Sequence, residues 1–82
     1  MKIFSIIPQT ILELNKLNKE AAAALSIAFF SFLNGEEWKS DDEVVNAFME
    51  VIVALYENGD ENIASAHFGK VYSLYKDKIM KI

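Results

Sequence analysis

Ser40-Asp41-Asp42-Glu43-Val44-Val45-Asn46-Ala47-Phe48-Met49-Glu50-Val51-Ile52-Val53-Ala54-Leu55-Tyr56-Glu57-Asn58-Gly59 carries the start, the body and the stop of one helix. At the start, Ser40 can cap the first turn and Glu43, three residues on, can reach back to the Ser40 N–H. Asp41 and Asp42 suit the positive helix end. At the stop, Asn58-Gly59 supplies the usual left-handed cap. In between, Val44, Val45, Phe48, Val51, Ile52 and Leu55 recur at helical spacing and make one apolar face. The stretch therefore predicts a helix running to about Glu57.

The same punctuation recurs upstream, where Asn34-Gly35 closes an apolar run. That run begins at Pro8, which suits a first helical position because it has no N–H to leave unbonded. Ile11, Leu14, Leu17, Ala21, Leu25, Ala28 and Phe32 follow at steps of three or four. Asn15-Lys16-Leu17-Asn18 allows a break, so the segment reads either as one helix over 8–34 or as a helix over 8–16 and another from 19. Downstream, Asp60 is placed to cap a last helix, with Glu61 in its first turn. Ile63, Ala64, Phe68, Val71, Tyr75 and Ile79 form its apolar face, and Lys76, Lys78 and Lys81 complement the negative end of its dipole. No strand pattern appears. The expectation is an all-α bundle of three or four helices joined by short loops, with antiparallel neighbours.

Phe48, Val51, Ile52, Leu55, Gly59, Ala64, Phe68 and Val71 resemble the packing positions of a tetratricopeptide helix hairpin, over about a third of the chain. The usual Pro would fall at Lys76. A shift by the repeat period of about 34 residues finds no second copy, and such repeats need roughly three units. The resemblance thus implies ordinary hairpin packing between these two segments.

Eighty-two residues make a single domain over 1–82. A chain of this length buries only about 60–65% of the surface its unfolded form exposes, so its own core is marginal. Cys is absent, which excludes disulfides, thiolate metal ligands and Cys nucleophiles and fits a reducing compartment. The start, Met1-Lys2-Ile3-Phe4-Ser5-Ile6-Ile7, is too weak for a signal peptide. The most apolar run, Ala21 to Leu33, is shorter than the roughly 20 residues a membrane span needs. A cytoplasmic protein without membrane insertion is expected.

Charge is unevenly spread. Residues 36–61 hold nine acids against Lys39 alone, while the rest holds seven Lys against Glu13, Glu20 and Asp77. There is no Arg, the residue that nucleic-acid sites use for bidentate contacts, so direct DNA or RNA binding is disfavoured.

Little in the chain could carry chemistry. His67 is the one histidine, and Ser65, two residues away on the same helix, would point elsewhere. The acids from Glu36 to Asp42 lack the ligand order of a calcium loop. Gly35, Gly59 and Gly69 stand apart, so no phosphate-cradling loop exists. No enzyme, no cofactor and no metal are expected.

The most informative feature is a surplus of apolar side chains. A surface helix shows an apolar stripe about 100° wide, yet between Val44 and Tyr56 only Asn46 and Glu50 are polar. Ala21 to Leu33 is similar. Enclosing two such helices in so short a chain is difficult, which predicts a homodimer sharing Phe29, Phe30, Met49, Val53, Tyr56 and Tyr72. An acidic patch of Glu36, Glu37, Asp41, Asp42 and Glu43 is the candidate surface for an outside protein. Trp38 within it reads either as a lid on the core or as an exposed anchor. The expected function is regulation by protein–protein binding, as adaptor or inhibitor. The size and the Lys/Asn/Ile-rich, Arg-free composition resemble those of small phage or plasmid accessory proteins. Two alternatives are an acidic decoy that occupies a nucleic-acid-binding surface of a target, and a small-ligand sponge at a helical oligomer interface.

Overall fold

In a computed structural model, residues 4–80 are described, with side chains for 4–78. Expectations placed on Met1, Lys2, Ile3, Lys81 and the side chain of Ile79 lie outside these. Four helices form, α1 (Ile6–Leu17), α2 (Lys19–Leu33), α3 (Glu43–Asn58) and α4 (Glu61–Met80), with no strand among the described residues. Helix α1 packs on α2, α2 on α3, α3 on α4, and α4 returns to α1, which closes the bundle around one core.

The break at Asn18 decides between the two readings of the first half. Asn18 is extended (φ −156°, ψ 105°), and its side-chain oxygen accepts from the Ala21 N–H at 3.1 Å, which starts α2. Its amide nitrogen donates to the Tyr75 hydroxyl on α4 at 2.6 Å. One residue thus ends α1 through its backbone N–H on the Leu14 carbonyl, and its side chain caps α2 and ties the junction to α4. Helix α1 itself starts two residues before Pro8. Pro8 still lies in the first turn, where its missing N–H would have had no intrahelical partner.

Two other boundaries follow the sequence closely. Asp60 caps α4, its carboxylate accepting from the N–H groups of Asn62 (3.0 Å) and Ile63 (3.1 Å). Gly59 is left-handed (φ 71°) and donates to the Leu55 carbonyl. Gly35 (φ 75°) ends α2, with Gly35 N–H bonding Phe32 O and Glu36 N–H bonding Ser31 O, the paired pattern of a Schellman cap.

The start of α3 departs from the capping box read from the sequence. Asp42, not Ser40, caps it, accepting from Val44 N–H at 2.8 Å. Ser40 instead accepts from the Asp42 N–H and is clasped by Asn46, which bonds both its N–H and its carbonyl at 2.8 Å. Asn46 holds the Ser40 backbone and the Ser40 hydroxyl is taken up by the Asp42 N–H, which leaves the Asp42 carboxylate to bond the N–H two residues on.

Helix α3 takes the centre. Val45, Phe48, Met49, Val51, Ile52 and Leu55 are all buried, against Ile7 and Leu14 of α1, Leu25, Ala28 and Phe29 of α2, and Ala64, Phe68 and Tyr75 of α4. Helices α3 and α4 run antiparallel, since Glu43 shares one stretch of their groove with Lys78 and Ala54 shares another with Ile63. Helices α2 and α3 do not form the expected antiparallel hairpin. The link 34–42 doubles back along α2, with Trp38 beside Ala24 and Ala28, and the C-terminal halves of the two helices lie together, with Tyr56 against Phe29 and Phe32.

The junction residues give two tests. Asn18→Ala removes a cap and a partly buried hydrogen bond and should cost about 2 kcal/mol, whereas Tyr75→Phe should cost about 1 kcal/mol; equal losses in urea unfolding would show that the α2 cap adds nothing. Gly59→Ala and Gly69→Ala should have opposite signs. The first forces a Cβ into the left-handed region and should cost about 1 kcal/mol. The second lies within α4, where an added Cβ meets nothing within 4 Å, and should stabilise by roughly 0.5–1 kcal/mol.

Candidate functional site

The surfaces that could meet another molecule are what the core leaves uncovered. Packing α3 at the centre absorbs part of the surplus that the sequence displays. Phe29 and Met49, expected on a shared outer face, are interior side chains of the single chain, 2% and 0% exposed. They are corrected to core positions because the four helices close around one core, in which Phe29 and Met49 lie with Ile7, Leu14, Leu25 and Ala28. Tyr56 is half-buried and stands at the centre of an aromatic cluster, 5.3 Å from Phe4, 6.1 Å from Phe29 and 5.5 Å from Phe32 between ring centroids. Val53 and Tyr72 are half-buried too. Of the six residues expected to share one face, Phe30 alone is well exposed, at 60%.

Phe30 has a different neighbourhood from the one expected. It stands one helical turn beyond Ile27, which is 68% exposed, on the outer face of α2. Ile27 also lines a shallow hollow with Ala24, Ala28, Ser31, Glu37 and Trp38. Trp38 is half-buried and packs against the core, so its ring props the loop on α2 and still contributes to this platform.

The acidic residues are exposed but serve different ends. Asp42 caps α3, Glu36 accepts from the Asn34 amide at 3.0 Å, and Glu43 faces the α3–α4 groove opposite Lys78. Glu37 borders the Ile27–Trp38 hollow, and Asp41 lies on the loop before α3. The patch is therefore an acidic margin to an apolar platform, not a single concentrated cluster.

Three further apolar residues are exposed: Ile63 at 58%, Leu74 at 70% and Leu12 at 63%. Ile63 has apolar spacing with Ala64 and Phe68, yet in the first turn of α4 it borders the α3–α4 groove and stays open to solvent. Leu74 lies off the stripe of Phe68, Val71 and Tyr75, which is the legible sign of its exposure.

No group of three His, Asp or Glu side chains comes together as a metal site among the described residues. His67 is exposed in the α3–α4 groove, while Ser65 lines a hollow of about 400 Å³ between α1 and α4 with Gln9, Thr10, Glu13, Phe68 and Tyr72. The two thus lie on different sides of α4. No helix among the described residues is long and apolar enough to cross a membrane.

The aromatic cluster makes a pH-dependent prediction. Burial pushes the Tyr56 phenol above its ordinary value, so the unfolded chain loses that proton first as pH rises. The contribution is complete below the ordinary tyrosine value of about 10 and is lost as pH climbs past it. Stability measured in urea should fall less steeply above that pH in Tyr56→Phe than in the parent; identical slopes would show that the phenol is not desolvated.

Compared with known proteins, the chain matches no family model, no curated protein and no solved structure at a significant level, which leaves its surface chemistry as the ground for a functional reading.

Proposed function

We propose that this chain is a small non-enzymatic regulatory protein of the cytoplasm, an adaptor or inhibitor that binds another protein and also pairs with itself. The observation that carries this reading is the outer face of α2. Ile27 and Phe30 stand 68% and 60% exposed one turn apart, with Trp38 beside Ile27 and Glu37 at the margin. Monomeric proteins rarely leave large aliphatic and aromatic side chains grouped in this way unless a partner covers them. Phe and Trp anchors with a polar rim are the usual make-up of an interface centre.

The chemistry of the platform describes its partner. Ile27, Phe30 and Trp38 ask for an apolar surface, and Glu36 and Glu37 ask for basic residues at its edge. The apolar part supplies affinity; the acids supply orientation and speed of encounter. The absence of Arg argues against nucleic acid, and the Cys-free composition suits a reducing cytoplasm. Self-association is supported by two further exposed apolar residues, Ile63 and Leu74, which lie on a separate face of the bundle.

The acidic-decoy reading is the second one, favoured by the exposure of Glu36, Glu37, Asp41, Asp42 and Glu43. Affinity capture from the native host separates the two. The parent chain should retain a protein partner as salt rises beyond roughly 0.2 M, where the screening length is already under about 8 Å. Ile27→Lys with Phe30→Lys should keep the helical circular dichroism and lose that partner at least tenfold. Capture that survives these changes but disappears with salt, or with Glu36→Lys and Glu37→Lys, would replace the platform with the decoy. Equal capture by every variant would remove both.

A further inference from the structure

Helices α3 and α4 leave between them a groove made of three adjoining hollows of about 380, 310 and 210 Å³. Its floor is Ala47, Val51, Ala54 and Val71, and Ile63 and Leu74 stand along it 58% and 70% exposed. Its two banks differ in charge. The α3 bank carries Glu43 and Glu50; the α4 bank carries Lys70 and Lys78, with His67 between Ile63 and Lys70 and with the capping Asp60 at the end of the groove, beside Asn58. The only ion pair among the described residues is Lys16–Glu13, far from this groove in sequence, so none of these charges is committed to an ion pair within the chain. On α3, Ala47 and Ala54 lie seven residues apart, as do Glu43 and Glu50. That period keeps the same face turned toward a neighbouring helix.

We propose that this groove receives a second copy of the chain, related by a two-fold axis that runs along the groove. The charge pattern selects both the occupant and the axis. A two-fold along the groove sets the α3 bank of each copy against the α4 bank of the other. Because such an axis preserves height along the groove, Glu50 meets the partner's Lys70, and Glu43 meets the partner's Lys78. A two-fold across the groove would instead set α3 against α3 and α4 against α4, with Glu facing Glu and Lys facing Lys. Like charges across a seam oppose that arrangement. Closed two-fold pairing uses the same patch twice, as a bank of acids beside a bank of lysines requires. The small Ala47 and Ala54 side chains let the partner's helices approach closely, and Ile63 and Leu74 lose their exposure to water. This inference rests on the self-association in the proposed function and is independent of the Ile27–Phe30 platform.

Sedimentation equilibrium at micromolar concentration tests it. The parent should have twice the chain mass of 9.3 kDa. Leu74→Glu, at an exposed position, should fold and weaken the pair at least tenfold. Glu50→Lys and Lys70→Glu should each weaken it, and the two together in one chain should restore it, since opposite charges then face each other across the seam once more. A parent that remains a monomer would overturn this seam together with the self-association reading. A dimer that tolerates Leu74→Glu would overturn the groove and leave self-association standing. Failure of the double exchange to restore pairing, with both single changes harmful, would overturn the axis.

Discussion

The fold depends on the break at Asn18. If Ile6 to Leu33 continued as one helix, no chain would remain to cover both sides of α3. The extended backbone at Asn18 turns that length into two helices, and its side chain then holds the result in place. One side of the amide caps α2 and the other takes the Tyr75 hydroxyl, a residue 57 positions later in the chain. A polar group at a helix junction would otherwise carry unmet hydrogen-bonding capacity into a part-buried site. Meeting it from α4 makes closure of the bundle and separation of the first two helices the same event.

With that closure, the apolar surplus sorts into what is enclosed and what is left. Helix α3 contributes six buried residues and becomes the central element. The Tyr56 ring gathers Phe4, Phe29 and Phe32, so aromatic residues from separate segments satisfy one another within the chain. What remains is mostly on the outer faces of α2 and α4, with Leu12 exposed on α1. The two faces differ in character. The α2 platform joins the large side chains of Ile27, Phe30 and Trp38 to an acidic margin. The α3–α4 groove is small-floored, with Glu43 and Glu50 on one bank and Lys70 and Lys78 on the other.

The helical architecture was legible because its signals are local. Helix stops at Gly35 and Gly59 require backbone that glycine adopts at little cost, and the Asp60 cap acts within three residues. The acidic loop and the exposure of Phe30 were legible as well. The buried state of Phe29 and Met49 was not, since it depends on which helices cover which side of α3. Nor was the capping of α3 by Asp42: Ser40 with Glu43 is a sound local box, and the Asn46 side chain, six residues beyond Ser40, changes its use.

The sequence by itself determined an all-α chain, the positions of its helices to within a few residues, and an excess of apolar surface with an acidic middle. These follow from periodicity, caps and composition, each of which acts over a few residues. Only the tertiary structure decided that Asn18 breaks the first segment, that α3 is the enclosed helix, and that the uncovered residues include Ile27 and Phe30 on α2, Ile63 and Leu74 on α4, and Leu12 on α1. Those outcomes depend on contacts between residues far apart in the chain, and helical spacing specifies which side chains share a face without specifying what that face meets.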